Sequence, residues 1–169
     1  MPPSRRQLVA AAGALSAASA GAAALGYHTW WDQAPAPGLA HVSADEAAFF
    51  DALADAIFPP HPGLPLRGRE AGVSIVIDGV ISGMAPVQRN MLRLSVHALD
   101  QYPRPGHGQP FRSLQLADAV AILGDWTRSD LAELRGVVAS LYIFVAMAYS
   151  LNPQVAPRFA RSFPCGYGA

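Results

Sequence analysis

The chain has 169 residues, 51% hydrophobic and 14% charged, and its 12 basic and 12 acidic side chains cancel to a formal net charge of zero. Every basic residue is arginine and no basic field is available to hold a polyanion, so nucleic-acid binding is disfavoured. A lone cysteine, Cys165, leaves no internal disulfide to form, and without a C-x-x-C-H run this chain does not itself carry covalently attached haem.

Residues 1–26 read as a twin-arginine export signal. Ser4, Arg5, Arg6 and Leu8 open it, and an almost charge-free Ala/Gly stretch follows. Its large aliphatics are Leu8, Val9, Leu15 and Leu25, too few for a spanning helix, which needs roughly 20 strongly apolar residues. Ala18-Ser19-Ala20 and Ala22-Ala23-Ala24 both fit an A-x-A-like cleavage site. The alternative is an uncleaved leader with Trp30-Trp31 at a membrane interface. This reading makes the twin-arginine translocase a partner and the periplasm or cell envelope the destination. Because that route carries folded chains, a small protein on it is able to travel with company. Loss of Arg5 and Arg6 with the leader leaves 10 arginines against 12 acids, a formal charge of about −2, on a remainder of about 140 residues that suits one domain.

Residues 27–42 read as an extended linker, with Gln-Ala-Pro-Ala-Pro-Gly at 33–38 disfavouring helix. A helical domain over 43–169 follows. Ser43 and Glu46 form a capping box for a helix that runs to Phe58, with Phe49, Phe50, Leu53 and Ile57 on one side and Asp51 and Asp55 opposite. Pro59-Pro60 end it, and a Pro/Gly-rich loop with His61, Arg67 and Arg69 leads to a second helix over 71–84, buried through Val73, Val76, Ile77, Val80 and Ile81. Pro86 starts a third helix, with Val87, Met91, Leu94, Ala98 and Tyr102 as its buried side and Arg89, Arg93 and Asp100 in water.

A second Pro/Gly-rich loop fills 103–110. The spacing then predicts a fourth helix over 114–126, capped by Ser113 and buried through Ala117, Val120, Leu123 and Trp126. A fifth runs over 131–151 from a cap at Ser129 or Asp130. Its second half is apolar around nearly the whole circumference, which predicts a central core helix or one partly covered by another protein. Pro153 and Pro157 lead into an irregular tail. The fold class is therefore all-α, a single compact domain of about five helices.

No chemistry assembles along this chain. Gly106-His107-Gly108 sits between prolines and offers neither a dinucleotide turn nor a helix N-terminus. The five histidines are scattered, none at ligand spacing from another. His97 reads as solvated or hydrogen-bonded, and the loop residues His61 and His107 as exposed or as interface contacts. Asp51 and Asp55, one turn apart, read as solvated carboxylates, with a backbone bond in the following loop as the alternative for Asp55. No serine has a G-x-S-x-G setting. No catalytic, cofactor-binding or metal residue is assigned.

The order of parts resembles a known family. The twin-arginine leader, the Ser43-Ala44-Asp45-Glu46 helix start, Leu53-Ala54-Asp55-Ala56-Ile57-Phe58-Pro59 and Ala71-Gly72-Val73 are similar to the gluconate 2-dehydrogenase small-subunit (subunit 3) family. Phe111 and Leu114 before a helix ending at Trp126, a long apolar helix and a Pro/Gly/Tyr tail extend the likeness over nearly the whole chain. The resemblance implies a non-catalytic subunit with no cofactor of its own. It would accompany a large FAD-dependent catalytic subunit of the glucose-methanol-choline type, often with a multihaem cytochrome c, and the flavoprotein would be exported on this chain's leader. Tyr142, Val145, Tyr149, Phe159, Phe163 and Tyr167 are the candidate partner interface, as hydrophobic surface beyond what a small core covers. The alternative function is an independent exported helical protein that binds a ligand or builds the cell envelope. An enzyme using His97 or Asp55 ranks last.

Overall fold

The computed structural model describes residues 33–162, with side chains through Phe159. Six helices follow in order: α1 Ala44–Ile57, α2 Val73–Ser82, α3 Pro86–Gln101, α4 Leu116–Thr127, α5 Ala132–Ser150 and α6 Ala156–Ser162. Short 3-10 turns at Gly68–Ala71 and Phe111–Ser113 and a single α-turn at Arg104–His107 punctuate the two long loops. Among the described residues there is no strand, only an isolated bridge between Pro35 and Ser43. The fold is all-α, as the sequence indicates. The additional helix α6 lies in the stretch expected to be irregular, because Pro157 sits in its first turn, where a missing N–H costs nothing.

The capping box forms at α1. Ser43 Oγ accepts from Glu46 N–H at 3.3 Å, while Glu46 Oε2 accepts from Ser43 N–H at 2.8 Å. This helix, rather than the second half of α5, is the centre of the fold. It touches α2, α3, α4, α5 and both 3-10 turns, and it buries Ala52, Ala54, Asp55 and Ala56 in addition to Phe49, Phe50 and Leu53. The small residues on its second side let the 59–69 loop fold back against it. Gly68 comes so close that a Cβ there would stand 2.0 Å from the Ala54 carbonyl. Its N–H donates to Phe58 O at 3.0 Å. Asp55 is consequently not solvated: Arg69 N–H donates to its Oδ1 at 2.8 Å and the Arg69 guanidinium bonds Oδ2.

Aromatic rings fill the space below α1. Phe111 tilts against Phe49 with centroids 5.6 Å apart and stacks on Trp126 at 5.0 Å, and Phe58 lies flat on Tyr149 at 3.9 Å. Each fully buried ring contributes about 1.5–3 kcal/mol of burial. Tyr149 OH then donates to Leu66 O at 2.6 Å and Asn152 Nδ2 to Ala71 O at 3.1 Å, so the end of α5 holds the 59–72 segment in place.

Residues 35–42, expected as part of an extended linker, are folded instead. The N–H groups of Ala40, His41 and Val42 converge on the Asp78 carboxylate at 2.8–2.9 Å, and Val42 enters the core. The carboxylate supplies the acceptors that these three N–H groups would otherwise need from regular secondary structure. Two expected caps are also displaced. Ser113 belongs to a 3-10 turn and Gln115 precedes α4, while Leu131 precedes α5, where Ser129 Oγ accepts from Leu131 N–H at 3.2 Å. In α4 the inner residues are Ala119, Ile122, Leu123 and Trp126, which leaves Ala117 and Val120 outside.

Candidate docking face

Helix α3 carries two regular stripes, and the structure turns the polar one inward. Arg89, Arg93, His97 and Asp100 recur at helical spacing, as do Val87, Met91, Leu94, Ala98 and Tyr102. The second set was expected to be buried. Val87 is 65% exposed, Met91 66%, Leu94 55% and Tyr102 56%, and Ala98 is exposed between them.

The physical reason is a set of partners on α1 and the 3-10 turn at Phe111–Ser113. Arg93 Nε donates to Glu46 Oε1 at 2.7 Å, and His97 Nε2 lies 3.0 Å from the same oxygen. Since an ionised carboxylate only accepts, Nε2 carries the proton. Burial acts to raise the pKa of Glu46, but hydrogen bonds from His97, Arg93 and the Ser43 N–H, with the charge of Arg93, outweigh it and hold the carboxyl at about 2. Asp100 accepts from Arg112 N–H at 3.1 Å and pairs with the Arg112 guanidinium, which also reaches Asp45 at 3.1 Å. Arg89 spans from His41 Nδ1, at 3.2 Å, to Met84 O. With these paired groups turned inward beside the buried Val96 and Leu99, the apolar stripe faces outward.

No charged side chain of α3 interrupts the outward stripe: the helix's other exposed residues are Pro86, Gln88, Asn90 and Gln101. Helix α5 behaves likewise. It buries Val138, Leu141, Val145, Ala148 and Tyr149, and from residue 136 to 151 it has no charge at all. Tyr142, Ile143, Met147 and Leu151 are exposed. An open groove of about 450 Å³ joins the two helices, with Met91, Leu92 and Ser95 on one wall and Gly136, Val137, Ser140 and Leu141 on the other, and the carboxylate of Glu133 is the one charge in its lining. Helix α5 is long and apolar enough to cross a membrane by length and composition. Its inner side, however, is part of the core around α1, and removing it would strip Phe58 of its stacking partner Tyr149.

Among the interface residues expected from sequence, Tyr142 is exposed. Val145 and Tyr149 are corrected: both are fully buried in the chain's own core and offer no surface to a partner. Phe159 is half-buried, edge-on to Tyr149 at 6.4 Å. Phe163, Tyr167 and Cys165, like the export residues Ser4, Arg5, Arg6 and Leu8, lie outside the described residues. The stripe Val87-Met91-Leu94-Ala98-Tyr102 was visible in the sequence but assigned to the wrong side. The equally regular polar stripe is also visible in the sequence; what periodicity does not reveal is that Glu46 on α1 and Arg112 in the following turn receive it. His61 accepts from Gly63 N–H through Nδ1 in an exposed turn, and His107 is exposed. Among the described residues, no three His, Cys, Asp or Glu side chains gather where a metal ion would sit.

Comparison with known proteins adds one positive finding. The family model described as gluconate 2-dehydrogenase subunit 3 matches residues 44–155, from the first residue of α1 to the turn before α6. No curated protein and no solved structure matches. With about two-thirds of its length inside that model, the chain belongs to the gluconate 2-dehydrogenase subunit 3 family.

Proposed function

We propose that the chain is the non-catalytic small subunit of a cell-envelope dehydrogenase complex, and that it packs the faces of α3 and α5 against a large FAD-dependent catalytic subunit of the glucose-methanol-choline type. The observation that carries this reading is the packing of α3: Arg93, His97 and Asp100 turn inward beside Val96 and Leu99, and a second, uncharged apolar stripe is left outward. Interface cores are depleted of charge in this way, and a stripe of this kind joined to a second one makes an exposed patch unusual for a solitary chain. Family membership supports the same reading, since the family is defined as one subunit of a dehydrogenase.

The mechanism is binding, with the redox chemistry in the partner. Residues 1–26 would direct export through the twin-arginine translocase, and a flavoprotein without a leader would cross with this chain, a multihaem cytochrome c completing the complex in the periplasm or at the membrane. The test is isolation of the tagged full chain from its native host, followed by flavin absorbance of whatever is retained. A flavoprotein retained by the wild type and lost with Leu94→Arg is expected. A solitary chain, or a flavoprotein retained equally by both, contradicts the docking role. Separately, Arg5→Lys with Arg6→Lys should leave the flavoprotein in the cytoplasm, and normal periplasmic dehydrogenase activity in that variant contradicts the export role.

A further inference from the structure

At the C-terminal end of the α3 stripe, the surface drops into a cavity of about 360 Å³ between Tyr102, the Arg104–His107 turn, α4 and the start of α5. Trp126 lines it. This ring is stacked on Phe111 at 5.0 Å and met edge-on by Tyr102 at 5.8 Å, and it is only 2% exposed. Its Nε1–H is buried and has no acceptor among the described residues. Buried tryptophan nitrogens ordinarily find a partner, and an unmet donor costs about 1–3 kcal/mol. The volume lies in the range of built ligand sites, about 300–1,000 Å³.

We propose that this cavity is the anchor point of the docking face: it receives a loop of the catalytic subunit whose apolar side chain fills the space and whose carbonyl oxygen accepts from Trp126 Nε1–H. The inference rests on the accessory-subunit reading above. Continuity favours a protein segment over a small molecule, because Tyr102 belongs at once to the outward stripe of α3 and to the cavity wall. The lining favours an apolar side chain: Ile122, Trp126 and Leu134 form much of the wall, and Asp125, the carboxylate among the lining residues, makes an exposed pair with Arg128 at 3.2 Å. His107 and Ser129 supply further hydrogen-bonding groups at the rim. Binding energy concentrates where a side chain enters a desolvated pocket ringed by flatter contacts, and a side-chain rearrangement of the kind common at interfaces would bring the acceptor to the buried nitrogen.

Gly106 provides the test. It lines the cavity and a Cβ built there meets no atom within 4 Å, so Gly106→Leu adds bulk at the cavity wall without a clash at its Cβ. Full-length wild type, Gly106→Leu, Trp126→Phe and Leu94→Arg are each titrated against the catalytic subunit purified from the native host complex. The indole N–H signal missing from Trp126→Phe is followed in the ¹⁵N-labelled wild type. Gly106→Leu is expected to weaken association by about tenfold or more with helicity unchanged, and the indole signal to move downfield on binding. If Leu94→Arg weakens association while Gly106→Leu does not and the indole signal stays in place, the anchor is overturned and the docking face stands. If neither variant weakens it, both fall. A small molecule that copurifies with the wild type and is expelled by Gly106→Leu, with subunit affinity unchanged, assigns the cavity to that molecule and overturns the proposal.

Discussion

Glu46 Oε1 accepts from Arg93 Nε at 2.7 Å while Glu46 Oε2 holds the N–H of Ser43, so one carboxylate both caps α1 and fixes the rotation of α3. The outward apolar stripe is a consequence of that bond and its neighbours. Glu46→Ala leaves Arg93 facing inward without its acceptor and removes half of the capping box, and breaking one side of a buried pair costs about 3–5 kcal/mol. Chemical denaturation at pH 7 is expected to show a loss of that size, and a loss under about 1 kcal/mol would show that the pair is peripheral.

Acid should act through the same carboxylate. Because folding depresses the Glu46 pKa from 4.5 to about 2, its contribution is fully present above pH 4.5 and is lost as the pH falls toward 2. The size is on the order of 3 kcal/mol. Denaturation midpoints should fall between pH 5 and pH 2 in the wild type and fall less steeply in Glu46→Gln, whose amide does not titrate. Equal slopes would move the acid sensitivity elsewhere.

Asp78 is the fastening of the 35–42 segment. Burial opposes its ionisation, but the N–H groups of Ala40, Val42 and His41 outweigh it and hold the pKa below the ordinary value. Asp78→Ala removes all three acceptor contacts at once. Amide exchange at residues 40–42 is expected to accelerate by about a hundredfold or more, in keeping with hydrogen bonds to a charged group worth about 1.5–3 kcal/mol each. Unchanged exchange would mean that Val42 packing alone holds the segment.

Gly68 cannot take a side chain. In Gly68→Ala the new Cβ would meet the Ala54 carbonyl at 2.0 Å and Asp55 N at 2.4 Å, and backbone atoms have no rotamer with which to retreat. The 59–72 loop would have to lift from α1, undoing the Arg69–Asp55 pair. The variant is expected to melt well below the wild type, and an unchanged melting temperature would contradict the close approach of loop and helix.

Where local chemistry decides, the sequence was readable. Ser43 and Glu46 announce the start of α1 and Pro59-Pro60 its end, and Pro86 marks the start of α3. Val73, Ile77 and Ile81 are buried on α2 as their spacing indicates. The misreadings arise where polar groups find distant partners: Asp78 with residues 40–42, Asp100 with Arg112, and Arg93 with Glu46, while His97 is hydrogen-bonded and Asp55 takes the backbone bond in the following loop, its alternative reading. Periodicity identifies two faces of α3 but not which one is inside, since that depends on charges supplied by α1 and by the turn after residue 110. Once these pairs form, with Val96 and Leu99 buried beside them, the stripe Val87-Met91-Leu94-Ala98-Tyr102 is left outward as the candidate docking surface.

Methionine footprinting tests that surface most directly. Met91 stands 66% exposed at the middle of the α3 stripe. Brief peroxide treatment of the separate chain and of the complex isolated from the native host, read by mass spectrometry, compares its oxidation rates. Burial against the catalytic subunit predicts that Met91 oxidises readily in the separate chain and is protected by about tenfold or more in the complex. Equal rates in the two states would contradict the account.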